Sequence, residues 1–166
     1  MSDGRIHYAE ERGNYYLKFT GDVRVTLCTG LNNCINRIFD KGDISSVVVD
    51  LSAAQGVDST TLGLLAKIAL YALKNSDIKP LMLVQDESLA RLINGMGFDE
   101  IFEMVDALPD TTAKLKAIRC SKASSDESRA QVIEAHKTLM SMNSKNMNTF
   151  SELVKALERE SDLAAY

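Results

Sequence analysis

The stretch that decides the fold reads VVVDLSAAQGVDSTTLG and covers residues 47–63. The apolar run at 46–51 is typical of a strand that helices bury on both faces. After a short polar turn, Asp58, Ser59 and Thr60 precede an apolar stretch, and this pattern predicts the first turn of a helix. A serine hydroxyl at such a place is either a helix cap or a group that can receive a phosphate.

The residues before this stretch predict a hairpin and a helix. Apolar and polar positions alternate from 5 to 20, with Gly13 and Asn14 at the turn, as in two antiparallel strands. Residues 25–39 carry apolar side chains at helical spacing, which indicates an amphipathic helix. These side chains are Leu27, Leu31, Ile35, Ile38 and Phe39.

The residues after it continue the alternation of helix and strand. We expect a helix over 62–73, a short strand over 81–84, a helix over 86–96 that glycine ends, and a last strand over 101–105. Strands that alternate with helices predict an α/β fold in which at least part of the sheet is parallel.

The chain after residue 108 differs in composition and is expected to be helical. Pro109 is placed to begin a helix that includes Leu115 and Ile118. Further on, Ser124 and Glu127 predict a capping box at the start of a longer helix.

A heptad pattern in this longer helix predicts a seam that packs against another helix. Its members are Ile133, His136, Met140, Asn143, Met147, Phe150, Val154 and Leu157. The weak helix formers at 143–148 allow two interpretations. The helix is either one long rod, or a helical hairpin in which Thr149 and Glu152 cap a second helix. We favour the interrupted helix.

The composition excludes several classes of protein. The 166-residue chain is 45% hydrophobic and 25% charged, with a net charge of −4, which suits one domain with an appendage or two small domains. It has no basic stripe and no apolar run of about 18 residues, so we expect neither a nucleic-acid partner nor a membrane span. The polar start predicts no secretory signal, and the three widely spaced cysteines form no closed disulfide set, so we expect a cytoplasmic protein.

No constellation of residues predicts catalysis. His7 and His136 are far apart and poorly accompanied, so we expect neither a metal site nor a catalytic triad. The sequence contains no P-loop, and Asp50 and Asp58 are better explained as a strand-end cap and a helix-start acid than as a carboxylate pair. The prediction is a protein that is not an enzyme and that uses no cofactor and no metal.

Two motifs resemble the signature of the STAS domain family, the fold of bacterial anti-sigma factor antagonists. In the first motif a strand ends with DL at 50–51, and DST at 58–60 and LG at 62–63 open a helix. The second motif has GF at 97–98 and IF at 101–102, which fit the closing helix and strand of the family. Both motifs occur in the right order on elements of the right type.

The resemblance covers roughly residues 5–108. It implies a STAS-like mixed sheet flanked by helices, followed by a C-terminal helical extension. The implied domains are a STAS domain at 1–108 and an extension at 109–166. This extension either packs back on the STAS domain or offers a second binding surface.

The resemblance also implies the site. Ser59 corresponds to the residue that is phosphorylated in switchable family members, and Thr60 is a secondary acceptor. The implied partner-binding residues are Asp22, Arg24, Asp58, Ser59, Thr60, Thr61 and Leu62. The chain departs from the family pattern at two of them. Thr61 stands where the family has glycine, and Arg24 stands where an acid usually lies, with Asp22 beside it as a substitute.

The implied function is that of a phosphorylation-switched anti-sigma factor antagonist. Unphosphorylated at Ser59, the protein would sequester an anti-sigma factor and so release a sigma factor. A separate kinase and phosphatase, or one bifunctional regulator, would set its state. The alternative is a constitutive STAS scaffold subunit of a transporter or signalling assembly, without phosphate switching. Self-association through the heptad segment is a further, weaker hypothesis.

Overall fold

A mixed sheet of six strands forms the centre of the molecule, which a computed structural model describes over residues 3–108, 114–119 and 123–164. The strands are β1 (Arg5–Glu11), β2 (Asn14–Val23), β3 (Ser46–Val57), β4 (Leu81–Leu83), β5 (Glu103–Val105) and β6 (Lys116–Ala117). They lie in the order β5-β4-β3-β2-β1-β6. Neighbours from β2 to β5 pair in parallel, whereas β1 pairs antiparallel with both β2 and β6. The expected hairpin is therefore confirmed as β1 and β2.

Helices follow β2, β3 and β4, as the alternating pattern predicts. They are α1 (Cys28–Lys41), α2 (Ser59–Ser76) and α3 (Glu87–Gly95), with short 3-10 turns at Val25–Leu27 and Phe98–Glu100. Asp86 caps the start of α3, and Gly97 follows its end with a φ of +87°, which is the left-handed conformation that glycine adopts without strain. The α/β fold class, with a mixed sheet flanked by helices, is confirmed.

Strand β3 is longer than its apolar run predicts. It continues through the small and polar residues after Leu51 to Val57, because the end of β2 pairs with it in parallel and supplies backbone hydrogen bonds there. Irregular register marks this part of the pair. The predicted polar turn therefore shrinks to Asp58, and the helix begins as soon as the strand ends.

The predicted helix that includes Leu115 and Ile118 is wrong where the structure describes it. Lys116 and Ala117 form β6, which pairs antiparallel with β1, and the Ile118 N–H donates to the Ile6 carbonyl over 2.8 Å. The backbone groups of β1 on this side need partners, and that tertiary pairing overrides a weak local helical signal. Pro109 lies outside the described residues.

The C-terminal extension is a helical hairpin of α4 (Ser125–Met140) and α5 (Ser144–Ala164). The predicted capping box of Ser124 and Glu127 is confirmed at the start of α4. The interruption is also confirmed, but its predicted position is wrong. Asn143 Oδ1 accepts a hydrogen bond of 2.8 Å from the Asn146 N–H and so starts α5 at Ser144, whereas Thr149 lies inside α5.

The apolar core extends from the sheet into this hairpin. Phe19, Leu51, Leu65 and Phe98 are completely or almost completely buried in the α/β part, and Leu139 of α4 belongs to the same cluster. The extension therefore packs back on the STAS-like part of the chain, one of the two arrangements that the sequence leaves open. Within the three described ranges, no helix combines the length and apolar composition that a membrane span requires.

Candidate functional site

Strands β2 and β3 end side by side at one edge of the sheet, and this edge carries the predicted site. Val23 pairs with Val57, and the next N–H along the chain, that of Asp58, donates to the Val23 carbonyl over 3.2 Å. Since the two strands are parallel, both leave the sheet at this edge. Helix α2 begins directly afterwards, so its N-terminus lies beside the end of β2.

Asp58 is the N-cap of α2. Its backbone is extended, and its Oδ1 accepts hydrogen bonds from the Thr61 N–H at 2.9 Å and from the Thr61 hydroxyl at 2.7 Å. Ser59 is therefore the first residue of the helix and not its cap. Its hydroxyl lies beside N–H groups that have no acceptor within the helix and whose dipole favours negative charge.

The side chains that follow Ser59 point into the protein. Thr60, Thr61 and Leu62 are all buried, and the Thr61 hydroxyl lies 3.5 Å from the Cys28 sulfur as well as on Asp58. Burial raises the pKa of the Cys28 thiol to about 11, so this cysteine stays protonated and unreactive at neutral pH. Ser59, which is partly exposed, is thus the more accessible of the two predicted phosphate acceptors.

Asp22 and Arg24 form an ion pair at the same edge. The Arg24 Nε donates to Asp22 Oδ2 over 2.9 Å, and the Arg24 side chain is largely exposed. The second carboxylate oxygen, Oδ1, is buried without a hydrogen-bond partner among the described residues and faces the glycine at position 56. The positive charge of Arg24 therefore compensates the negative charge of Asp22.

Asp50, from the first signature motif, holds the strand in place at some distance along β3. Its carboxylate accepts hydrogen bonds from the Tyr16 hydroxyl, from the Ser52 hydroxyl at 2.6 Å and from the Ser52 N–H at 2.9 Å. Burial alone would raise the pKa of Asp50, but these hydrogen bonds outweigh it and lower the pKa below its ordinary value. The strand continues to Val57, so Asp50 is an interior residue of β3 paired with both neighbouring strands, and its predicted role as a strand-end cap is wrong.

The Ser59 hydroxyl is paired with a residue of the extension. Its Oγ lies 2.8 Å from Nε2 of His136, which is only 2% exposed. His136 Nδ1 lies 2.7 Å from the Val132 carbonyl oxygen, which can only accept, so Nδ1 carries a proton. In a neutral ring Nε2 is then the acceptor, and the serine hydroxyl donates to it. The pair lies at the contact between α2 and α4, with Ser59 partly exposed and His136 buried.

One turn further along α2, the backbones of the two helices touch. A β-carbon at Gly63 would stand 2.3 Å from the Ala135 carbonyl oxygen, closer than real contacts allow. The absence of a side chain at Gly63 is therefore what lets α4 lie directly on the start of α2. This glycine belongs to the signature motif, and here it serves the contact with the extension.

Two polar pairs flank this contact. The Thr29 hydroxyl of α1 donates to Gln131 Oε1 over 3.1 Å, and Lys67 Nζ of α2 lies 3.3 Å from Glu134 Oε1. Neither pair is fully buried, since Thr29 and Gln131 are half-buried and the Glu134 side chain is 60% exposed. Helix α4 thus lies over the first half of α2. The close contact of Gly63 with Ala135 is at the centre of this interface, and the two polar pairs lie at its margins.

The structure thus gathers the predicted residues at one edge and adds residues that the sequence interpretation missed. The heptad pattern predicts a packing role for His136, which its burial supports, but it does not predict the bond to Ser59. Its heptad position indicates only that it faces another helix. Which residue it meets depends on how the hairpin folds back. Among the described residues, no three His, Cys, Asp or Glu side chains are grouped so that they could hold a metal ion.

Comparison with known proteins identifies the family. The family described as STAS domain matches residues 6–111. This chain belongs to the STAS domain family. Its fold is similar to a solved structure titled as the phosphorylated form of SpoIIAA, a cell fate determinant of Bacillus. The TM-score is 0.52 at 13% sequence identity, and the match covers 62% of this chain and 91% of that one. A search of curated proteins finds no match.

Proposed function

We propose that this protein is a phosphorylation-switched anti-sigma factor antagonist. Unphosphorylated at Ser59, it binds and sequesters an anti-sigma factor; phosphorylated there, it releases that partner. The observation that carries the proposal is the position of Ser59, which is the first residue of α2, next to the cap Asp58 and the ends of β2 and β3. Membership of the STAS family and the match of DST at 58–60 and LG at 62–63 to its signature support the assignment.

The physical chemistry of this position favours a switch. The N-terminus of a helix stabilises negative charge, so the folded domain tolerates a phosphate on Ser59. The phosphate adds a charge of about −1.5 to −2 next to Asp58. A partner docked on this edge would have to bury that charge or withdraw from it. A misplaced buried charge costs several kcal/mol, and about 4 kcal/mol corresponds to a roughly 10³-fold loss of affinity.

The protein takes part in this cycle as a substrate and a ligand, and not as an enzyme. A separate kinase would remove the proton of the Ser59 hydroxyl and form the bond from Oγ to the γ-phosphorus of ATP, while the bond from that phosphorus to ADP breaks. A separate phosphatase, or a second domain of the same regulator, would return the serine by hydrolysis. Both reactions and the sigma factor belong to the cytoplasm, where we place the protein.

The direct test is phosphoryl transfer from labelled ATP by the cognate kinase. We expect Ser59→Ala to abolish labelling, while the neighbouring Thr60→Ala retains it, because Thr60 is buried. Label that persists at the wild-type level in Ser59→Ala would refute the site.

A binding experiment separates the switch from the scaffold alternative. The cognate anti-sigma factor should bind Ser59→Ala and discriminate against Ser59→Asp. Equal affinity for both variants would favour a constitutive STAS scaffold subunit.

A further inference from the structure

The α4–α5 hairpin lies on the same surface that the proposed switch uses. Helix α4 packs along the start of α2. There His136 is hydrogen-bonded to the Ser59 hydroxyl, and the Ala135 backbone contacts Gly63. The serine is the only hydroxyl of the DST motif that is not buried in the domain. The extension therefore engages the one side chain through which the switch would act.

The second helix holds the first in this position. Phe150 of α5 meets the His136 ring edge-on with the ring centres 5.1 Å apart, and Val154 is only 3% exposed. Lys137 of α4 forms an ion pair of 2.6 Å with Glu158 of α5. The covering element is thus a preformed two-helix unit and not a single loose helix.

The turn of the hairpin is fastened to the residues that follow α3. The Asn146 amide donates to the carbonyls of Met96 at 2.9 Å and Leu139 at 3.0 Å, and the Asn143 amide donates to Met96 at 3.1 Å. Along α2, by contrast, the contacts of α4 include polar pairs such as Lys67–Glu134, and partly exposed ion pairs contribute little stability. The buried amide bonds of the turn are therefore the firmer attachment, and the contact of α4 with α2 depends in part on weaker polar pairs.

We infer that the α4–α5 hairpin is an internal competitor for the partner-binding surface and must leave the start of α2 before a kinase or an anti-sigma factor can reach Ser59. This inference rests on the proposed function in taking Ser59 as the switch. The covering contact itself does not depend on that role.

Two physical arguments support competition. A distance of 2.8 Å is a direct hydrogen bond, so no phosphorus atom fits between Ser59 Oγ and His136 Nε2, and a phosphate on Oγ in this position requires the two side chains to separate. A docking helix needs the same bare surface at Gly63 that Ala135 already fills. Ligands shift equilibria toward the state that they bind, so a phosphate on Ser59 or a bound partner would favour the open form. By the same linkage, a more stable closed form would lower both phosphorylation of Ser59 and affinity for the partner.

The test measures access to residue 59 in the full chain. Ser59→Cys is made together with Cys120→Ser, and the rate of its reaction with a maleimide is followed by mass spectrometry. The two remaining native cysteines, Cys28 and Cys34, are buried and serve as an internal check that the core stays closed. The denatured chain gives the rate of a fully accessible residue 59.

Two pairs of substitutions test the contact between α4 and α2. Each pair has one variant that should open this contact and one matched control that should leave it intact. Gly63→Ala places a methyl group against the Ala135 backbone, whereas Gly95→Ala is a matched control, since a β-carbon there would approach only the flexible end of Lys145. Glu134→Lys sets a like charge beside Lys67, whereas Glu152→Lys makes the same charge change within α5.

We expect slow labelling in the Ser59→Cys parent and a rate at least about tenfold higher with Gly63→Ala or Glu134→Lys, with both controls at the parent rate. A parent that reacts as fast as the denatured chain would overturn the inference. So would opening variants that react no faster than their controls. If Gly63→Ala also exposes Cys28 and Cys34, it has unfolded the domain, and Glu134→Lys alone decides.

Hydrogen exchange on the chain with its native Ser59 gives a second, independent readout. Glu134→Lys should speed exchange of α4 and of the first turns of α2, while β3 stays protected as in Glu152→Lys. Unchanged protection of α4 would contradict the inference. Neither measurement uses a kinase. Absence of phosphorylation at Ser59 would therefore refute the proposed function, whereas the labelling and exchange results would still test whether the α4–α5 hairpin covers the start of α2.

Discussion

Ser59 and His136 lie 77 residues apart in the sequence, yet their side chains share a hydrogen bond of 2.8 Å. The other ring nitrogen of the histidine is engaged by the Val132 carbonyl, so the imidazole is fixed in orientation by its own helix. A side chain that was expected to serve only helix packing thus links the extension to the predicted switch. This link can be measured as a coupling energy.

We expect the loss of either partner to lower the free energy of unfolding, because the other is left unpaired at a buried contact. Ser59→Ala should cost about 1 kcal/mol, and His136→Ala about 3 kcal/mol because it also removes the ring from Phe150. Urea unfolding of both single variants and the double variant should give a coupling of about 1 kcal/mol. Thr138→Ala, on the same helix, serves as the control and should show no coupling to Ser59. Additive losses for Ser59 and His136 would mean that the bond contributes nothing to stability.

Asp50 should make the stability of the protein depend on pH in the acid range. Its folded pKa is lowered by hydrogen bonds from Ser52 and Tyr16, which outweigh the effect of burial, so its contribution is present above its unfolded pKa, near 4. This contribution is lost as the pH falls through the lower, folded value. Urea midpoints between about pH 7 and 3 should therefore fall less steeply in Asp50→Asn than in wild type. If the urea midpoints of the two proteins fell equally with decreasing pH, the predicted contribution of ionised Asp50 to stability would be contradicted.

Removing one donor to Asp50 is a milder version of this test. Tyr16→Phe deletes a hydrogen bond that favours the charged carboxylate, so the folded pKa of Asp50 should rise toward its unfolded value. The contribution of Asp50 above that range should shrink accordingly. The same titration of urea midpoints measures this, and it should place Tyr16→Phe between wild type and Asp50→Asn in its slope.

Asn146 should be critical for the hairpin, although it belongs to a polar segment. Its buried amide donates to the carbonyls of Met96 and Leu139, so Asn146→Ala removes two buried hydrogen bonds at once and should cost about 2 kcal/mol. Asn148→Ala, at an exposed position of the same helix, should change stability by less than about 0.5 kcal/mol. Thermal or urea unfolding compares the two directly. Equal effects would show that the turn is not anchored by Asn146.

Self-association can be tested on the intact chain. The heptad residues His136, Phe150 and Val154 are used within the hairpin, so we expect a monomer of 18.3 kDa in sedimentation experiments at micromolar concentration. A dimer would instead have to use apolar side chains that stay exposed on α5, such as Met147 and Leu153. If a dimer forms, charged substitutions at those two positions should dissociate it.

Local patterns predicted most of the α/β part because each of its elements has a strong signal of its own. The apolar run before Asp50 indicates a strand, and the acid, serine and threonine at 58–60 indicate a helix start, whatever lies around them. The capping box at Ser124 was predicted for the same reason, since it involves neighbours in sequence. Only its immediate context was needed.

The wrong predictions concern segments whose structure depends on distant partners. Residues 52–57 have little strand pattern and extend because β2 lies beside them, and Lys116 joins the sheet because β1 has groups to pair. The break between α4 and α5 depends on an asparagine cap at position 143 and on the binding of Asn146 to the loop after α3. In the same way, the contact between Ser59 and His136 exists only once the hairpin has folded back.

The attachment of α4 to the surface that it covers has a quantitative consequence for any partner. A competitor that is part of the same chain is present at a constant local concentration, roughly millimolar for a short connection, and cannot be diluted. A partner must therefore overcome a fixed opening free energy, and its apparent affinity is its intrinsic one reduced by the fraction of open molecules. The stability of the hairpin thus acts as a threshold that sets how much partner a cell must contain before the protein responds.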